Sequence, residues 1–248
     1  MKKKSFLIII PARSGSTRIK NKNLKKIRGK SLLDIKIKSC KKIKQARIVV
    51  STDSKKIRNF ALRAGAVVPY LRPKKYSSSK SSTLASVLDM IRFLKRKEKY
   101  IPEYIGILPP TNPFLKTESI LKAYTKLKKH KKINSIVGFS KSTDHPFSFI
   151  LGFKNKIKFN IIKYRNKIYS DYERTQDWPN SYVGSASLKI VRFKFLNQFL
   201  KNHSPVINQK TFDISNSIGI ELSQIENFDI NTEYDLNLAQ SLKNFKNR

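Results

Sequence analysis

Between Pro11 and Leu24 the chain carries four cations, Arg13, Arg18, Lys20 and Lys22. Among them stand the hydroxyls of Ser14, Ser16 and Thr17, a glycine at Gly15 and the amide of Asn23. A loop of this make-up can turn backbone N–H groups inward around an anion, while guanidinium and ammonium groups neutralise phosphate charge. A solvated basic loop is an equal reading on composition alone. Two common phosphate motifs are excluded. The dinucleotide fingerprint needs three glycines where this loop has one, and Gly29-Lys30-Ser31 has Leu24 where a P-loop needs its first glycine.

The elements that must hold this loop alternate between strand and helix patterns. Phe6–Ile10 is a continuous apolar run of a length and β-branched content suited to a strand buried on both faces, ended by Pro11. A loop at the carboxyl end of a first parallel strand is where open α/β sheets bind ligands. Leu32, Leu33, Ile37 and Cys40 mark a helix face, with Lys36, Lys38, Lys41 and Lys42 expected outside. Arg47–Ser51 reads as a strand, Thr52-Asp53-Ser54 as a helix start, Gly65 as its stop and Val67–Tyr70 as a short third strand.

Tyr76–Thr83 is rich in hydroxyls and ends in a cap at Ser81 or Ser82, ahead of a helix carrying Leu84, Val87, Leu88, Ile91 and Leu94. Tyr104–Leu108 is a further strand that runs into three prolines within five residues, Pro109, Pro110 and Pro113. A helix around Ile120–Leu127 and a strand over Ile133–Ser140 follow, and Ser217–Leu222 is a later strand. Thr232 and Asp235 make a capping-box start to a last helix with Leu238, Leu242 and Phe245 on one side. The alternation predicts an α/β fold, three-layer αβα with a mainly parallel sheet.

From Asp144 to Tyr182 the pattern changes. Phe149–Phe153 and Ile157–Ile162 read as an antiparallel hairpin bearing several aromatics, which needs a covering partner. At 248 residues the chain is long enough for one domain, 1–248, with 144–182 as an inserted arm.

Charge raises a second class of function. The chain has 53 Lys and Arg against 16 Asp and Glu, a net +37. That excess would suit a nucleic-acid partner. The lysines are spread through every segment, however, and argue against nucleic acid as the main partner. A single cysteine, Cys40, excludes an intrachain disulfide and a cysteine-based zinc site, and the three histidines lack ligand spacing. The five-residue apolar run after Met1-Lys2-Lys3-Lys4 is too short for a signal-peptide core or a membrane span, so a cytoplasmic protein without membrane insertion is expected.

PARSGSTRIKNKNL resembles the amino-terminal motif of the sugar-acid cytidylyltransferases, of the acylneuraminate and pseudaminic acid branch. The likeness runs over nearly the whole chain. Leu71-Arg72-Pro73 with its serine run resembles the family's L-R-P and S-D-T-x-x-S-S, and LPPTNPF resembles L-Q-P-T-(S/N)-P. Segments around His145-Pro146 and Arg174-Thr175-Gln176-Asp177 also match. Tyr182–Ile190 stands where the family has Y-x-P-N-G-A-I-Y-I, and Phe228–Asn231 where it has D-I-D. Ser16-Thr17-Arg18 is closer to the KDO cytidylyltransferases, which are the nearer alternative.

The resemblance implies transfer of CMP from CTP to an acidic sugar, a nonulosonate such as a sialic, legionaminic or pseudaminic acid, with release of pyrophosphate. It implies Mg²⁺ as cofactor and a homodimer formed through the arm. Arg13, Lys22 and Asp229 would be catalytic. Ser14, Gly15, Ser16, Thr17, Arg18, Asn23, Arg72, Ser82, Thr83 and Thr111 would bind substrate, and Asp229 with Asn231 would hold the metal. Two departures stand out: Pro109 replaces a glutamine and Asn231 an aspartate.

Overall fold

The computed structural model describes residues 5–142, 152–153, 156–157, 171 and 173–242. Its centre is a six-stranded sheet of order β10-β6-β9-β5-β1-β4. The strands are β1 (Phe6–Pro11), β4 (Ala46–Ser51), β5 (Tyr104–Ile107), β6 (Ser135–Lys141), β9 (Tyr182–Arg192) and β10 (Ser217–Glu221). β1 pairs in parallel with β4 and β5, and β10 with β6. β9 alone runs antiparallel, between β5 and β6. The expected mainly parallel α/β sheet is therefore present, with one reversed strand inside it.

β1 lies one strand in from the β4 edge, and every residue of Phe6–Ile10 is fully buried. Alternate side chains enter opposite layers, as strand periodicity requires. Phe6, Ile8 and Ile10 join α1 (Leu32–Lys41), α2 (Lys55–Arg63) and α4 (Thr117–Lys129) on one face, and Leu7 and Ile9 join α3 (Thr83–Glu98) on the other. The helix starts follow their side-chain caps: Ser31 for α1, Ser54 for α2 and Ser82 for α3 each accept a backbone N–H of the first turn. Gly65 stops α2 with φ +79°, a left-handed conformation that favours glycine.

Several expectations are corrected. Val67–Tyr70 does not form a strand; only isolated bridges join Val49 to Val67 and Thr52 to Leu71. Pro69, with no N–H, interrupts the ladder between them. Lys36 is not on the solvent side of α1 but buried at 1% exposure. The last helix, α6 (Glu233–Ser241), starts on the capping box of Thr232 and Asp235, but it buries Leu236 and Ala239 and leaves Leu238 at 39% exposure. The cap sets the helix phase, which turns 236 and 239 onto Ile19, Ile27 and Leu32.

In the predicted arm, β7 (Gly152–Phe153) and β8 (Lys156–Ile157) pair antiparallel, with Lys156 in the second strand where the expectation began it at Ile157. The rest of that hairpin, His145, Leu242's expected partner Phe245 and most of 144–182 lie outside the described residues. Among the described residues no helix is long and apolar enough to cross a membrane.

Candidate active site

The ends of β1 and β5 carry the loops that make the site. The cationic loop leaves β1 at Pro11 and returns through a short 3-10 turn, Lys22–Leu24. It is held to the neighbouring strand by Asp53, just beyond β4. The Asp53 carboxylate accepts the backbone N–H of Ser14 at 2.8 Å and the Ser14 hydroxyl at 2.7 Å. Asn23 is buried and donates to the carbonyl of Arg13 at 2.9 Å, closing the loop's base. Both donors of Ser14 thus serve the loop's shape.

Two clefts meet at Pro109. The first, of about 160 Å³, is lined by Arg13, Ser16, Thr17, Arg18, Lys22, Asn23 and Thr111. The second, of about 240 Å³, runs past Arg13 and Arg72 to Ser78, Ser82, Thr83 and Ser86 at the start of α3. Arg13 borders both, and its guanidinium donates to the carbonyl of Ser78 at 2.7 Å. Arg72 is buried and bonds Ser77 through Nε, while its Nη2 has no hydrogen-bond partner. A buried guanidinium nitrogen without an acceptor costs free energy that a ligand carbonyl or anion would offset.

The opposite wall is built from the segment before α6. Ile230 donates its N–H to the carbonyl of Thr111 at 2.9 Å, and Asn112 donates through Nδ2 to the carbonyl of Phe228 at 3.0 Å. This zipper fixes Asp229 behind Thr111, which lines the first cleft; Asp229 itself lines neither cleft. Asn231 Nδ2 donates to Asp229 Oδ2 at 3.0 Å, while Asp229 Oδ1 is buried with no hydrogen-bond partner. Lys22 reaches across from the cationic loop and donates to the carbonyl of Ile230 at 2.8 Å. The predicted residues of loop, helix start and carboxylate wall are therefore gathered in one place. Gly15 belongs to the same loop, where a Cβ would meet nothing within 4 Å, so space does not require glycine there.

The sequence from residue 7 to residue 237 matches the model of a protein family described as cytidylyltransferase. The chain belongs to that family. The CMP-N,N'-diacetyllegionaminic acid synthase of Legionella pneumophila is 29% identical over 240 residues, 96% of this chain and 95% of that protein. The pseudaminic acid cytidylyltransferase of Campylobacter jejuni is 34% identical over 121 residues, 48% of this chain and 52% of that one. Among solved structures, a CMP:2-keto-3-deoxy-manno-octonic acid synthetase complexed with CTP superposes with a TM-score of 0.67 at 11% identity, over 96% of this chain and 97% of that one, a likeness of fold.

In this cytidylyltransferase the charge of Asp229 acts on three lysines, Lys36 buried and Lys22 and Lys189 half-buried. Desolvation lowers the pKa of Lys22, while Asp229 pulls it back up. Lys36, fully buried under the wall, donates to the carbonyl of Asn112 at 2.8 Å. Burial brings its pKa down to about 8 against the opposing pull of Cys40 and Asp229. Lys189 on β9 is likewise lowered by desolvation and raised by Asp229. Sequence reasoning missed Asp53 as the loop's clasp and missed Lys36 and Lys189 altogether. A lysine at a helix or strand position carries no signal of burial in an apolar periodicity, and in a chain with this many lysines nothing set these two apart.

Proposed function

We propose that the protein transfers CMP from CTP to a nonulosonate, a sugar acid of the legionaminic or pseudaminic kind. The observation that carries this is a cationic loop whose Lys22 reaches the segment of a half-satisfied carboxylate, Asp229, in a chain of this family. The named relatives at 29% and 34% identity support the nonulosonate. The anomeric hydroxyl oxygen bonds to the α-phosphorus, the bond from that phosphorus to the bridging oxygen breaks, and pyrophosphate leaves as the hydroxyl proton is released. Positioning and charge neutralisation carry the rate.

Arg13, Arg18 and Lys22 neutralise the triphosphate, with Ser16, Thr17 and the loop's N–H groups completing the cradle. Arg72, with Ser82 and Thr83 at the α3 start, takes the polar edges of the nucleotide or sugar, and the orphan Nη2 of Arg72 is the donor in waiting. The Asp229 oxygen without a partner fits a divalent cation, since Mg²⁺ is commonly held by one or two carboxylates plus substrate phosphates. Asp229 and Asn231 would hold it, and when bound it supplies positive charge beside the phosphates. No group of three or more His, Cys, Asp or Glu side chains suited to a metal occurs among the described residues, so one carboxylate with phosphate oxygens is the fitting arrangement.

The chain works as a single catalytic domain, and residues 144–182 pair two copies in a cytoplasmic homodimer. A monomer in light scattering of the intact chain at micromolar concentration would refute the pairing. The reaction is tested by pyrophosphate release from each of the four common nucleoside triphosphates with a panel of acidic sugars and Mg²⁺. Release only with CTP and a nonulosonate together is expected. Release with KDO in preference to any nonulosonate would reject the substrate assignment.

A further inference from the structure

The reversed strand β9 contains an irregularity where it passes β6. Phe139 of β6 pairs with Gly184, and Val137 pairs with Lys189, so residues 185–188 are taken up opposite Gly138 alone. The fold there is held by serines: Ser187 donates its N–H to Ser185 Oγ at 2.9 Å, and the two hydroxyls bond each other. Irregularities of this kind end regular pairing and re-aim a side chain, and they concentrate beside active sites. The residue that emerges from this one is Lys189.

Lys189 stands in the middle of the sheet, with Ile107 of β5 on one side and Val137 of β6 on the other. Ile107 is two residues before Pro109, which lines both clefts. The ammonium is half-buried and has neither an ion pair nor a hydrogen bond among the described residues. The charges that act on it are those of Asp229 and of a second cation, Lys210. Asp229 does not answer for Lys189 alone, because it also acts on Lys22 and Lys36. A half-buried ammonium without an ion pair or hydrogen bond is free to take an anion when one arrives.

We propose that Lys189, set by the bulge in β9 beside the end of β5 that leads to Pro109, binds the carboxylate of the acidic sugar. The phosphates have their own cations, since Arg13, Arg18 and Lys22 line the first cleft and Lys189 does not. The second substrate brings the remaining anion. This inference rests on the sugar-acid reading above and assigns the acid's charged end to a residue no sequence motif singles out.

The test compares the intact protein with Lys189→Met, which keeps the stem and removes the charge, and with Lys189→Arg. Pyrophosphate release is measured first for the unaltered protein with N,N'-diacetyllegionaminic, pseudaminic and N-acetylneuraminic acids. If none is a substrate, the sugar-acid reading falls and this inference with it. For the best acid, Lys189→Met is expected to raise the sugar KM at least tenfold, with the Kd for CTP alone unchanged by calorimetry, and Lys189→Arg to recover most of the loss. The C1 carboxamide of the same sugar should be disfavoured by the unaltered protein and no longer discriminated against by Lys189→Met. Thermal unfolding of the Met variant without ligand should occur at the same temperature or higher, which separates a binding defect from misfolding. An unchanged sugar KM would overturn the proposal while leaving the proposed reaction standing. Weaker CTP binding with an unchanged sugar KM would overturn it too, by assigning Lys189 to a phosphate.

Discussion

The loop after β1 and the wall around Asp229 meet where Lys22 reaches the Ile230 carbonyl, but they carry their charge in different surroundings. On the loop, Arg18 is exposed and Arg13 half-buried, on a backbone clasped by Asp53. On the wall, one carboxylate is shared by Lys22, Lys36 and Lys189, each of them desolvated to some degree. Water already solvates an exposed cation, so its removal changes little except what it binds. A buried charge is balanced by its neighbours, so its removal leaves them uncompensated. The loop can therefore be altered for catalysis alone, whereas the wall couples catalysis to stability.

The largest effect is expected on the wall. Asp229→Ala should abolish CTP-dependent pyrophosphate release at any practical Mg²⁺ concentration and should also lower the unfolding temperature. Asp229→Asn, which keeps the shape, should be equally inactive. Activity in either variant would break the assignment of this wall to the metal.

The loop offers the contrasting case. Arg13→Ala or Lys22→Ala should cut turnover more than tenfold, about 1.4 kcal/mol or more of barrier. Arg13→Ala should leave the unfolding temperature within a degree or two of the parent. Lys22→Ala should move it more, because Lys22 alone of the pair reaches the wall, at the Ile230 carbonyl. Equal stability changes in the two variants would remove the distinction between loop and wall.

How much of this was legible in the sequence follows the same division. The strands β1, β4 and β5 and the starts of α1, α2 and α3 come from local signals, apolar runs and capping serines, and those were readable. So was the loop, since its cations and hydroxyls are contiguous. Asp229 beside Asn231 was readable through the family pattern, and a side-chain hydrogen bond joins the two. Lys36 and Lys189 were not readable. Their burial depends on which segments the topology lays over them, the zipper of Asn112 with Phe228 and the irregularity in β9. Long-range packing leaves no mark on the residues on either side of a lysine.

A smaller effect sharpens the reading of the wall. Asn231 supplies a dipole where a second carboxylate would supply charge, so attraction to a divalent cation is weaker. Asn231→Asp should lower the Mg²⁺ concentration for half-maximal pyrophosphate release severalfold, and the nearby lysines should keep the added carboxylate ionised. A Mg²⁺ titration of the two proteins side by side decides it. An unmoved curve would mean that Asn231 does not face the metal.

The last expected effect is a slope of stability with pH, and it tests the buried side of the comparison without any substrate. Lys36 has its pKa brought down by burial from 10.5 to about 8 in the folded chain. Between those values the unfolded chain holds a proton at this position that the folded chain has given up. Stability therefore rises with pH across this window, from a penalty fully present below pH 8 to one relieved above about 10.5. The whole span is at most about 3 kcal/mol, from roughly 1.4 kcal/mol per pKa unit. Lys36→Met has no proton to lose and should lack this rise. The measurement is urea unfolding of both proteins at intervals from pH 7 to pH 10, taking the difference in unfolding free energy at each. The other lysines titrate in both proteins and cancel in that difference. A difference that stays constant with pH would mean that Lys36 keeps an ordinary pKa and that the wall is less desolvated than its geometry implies.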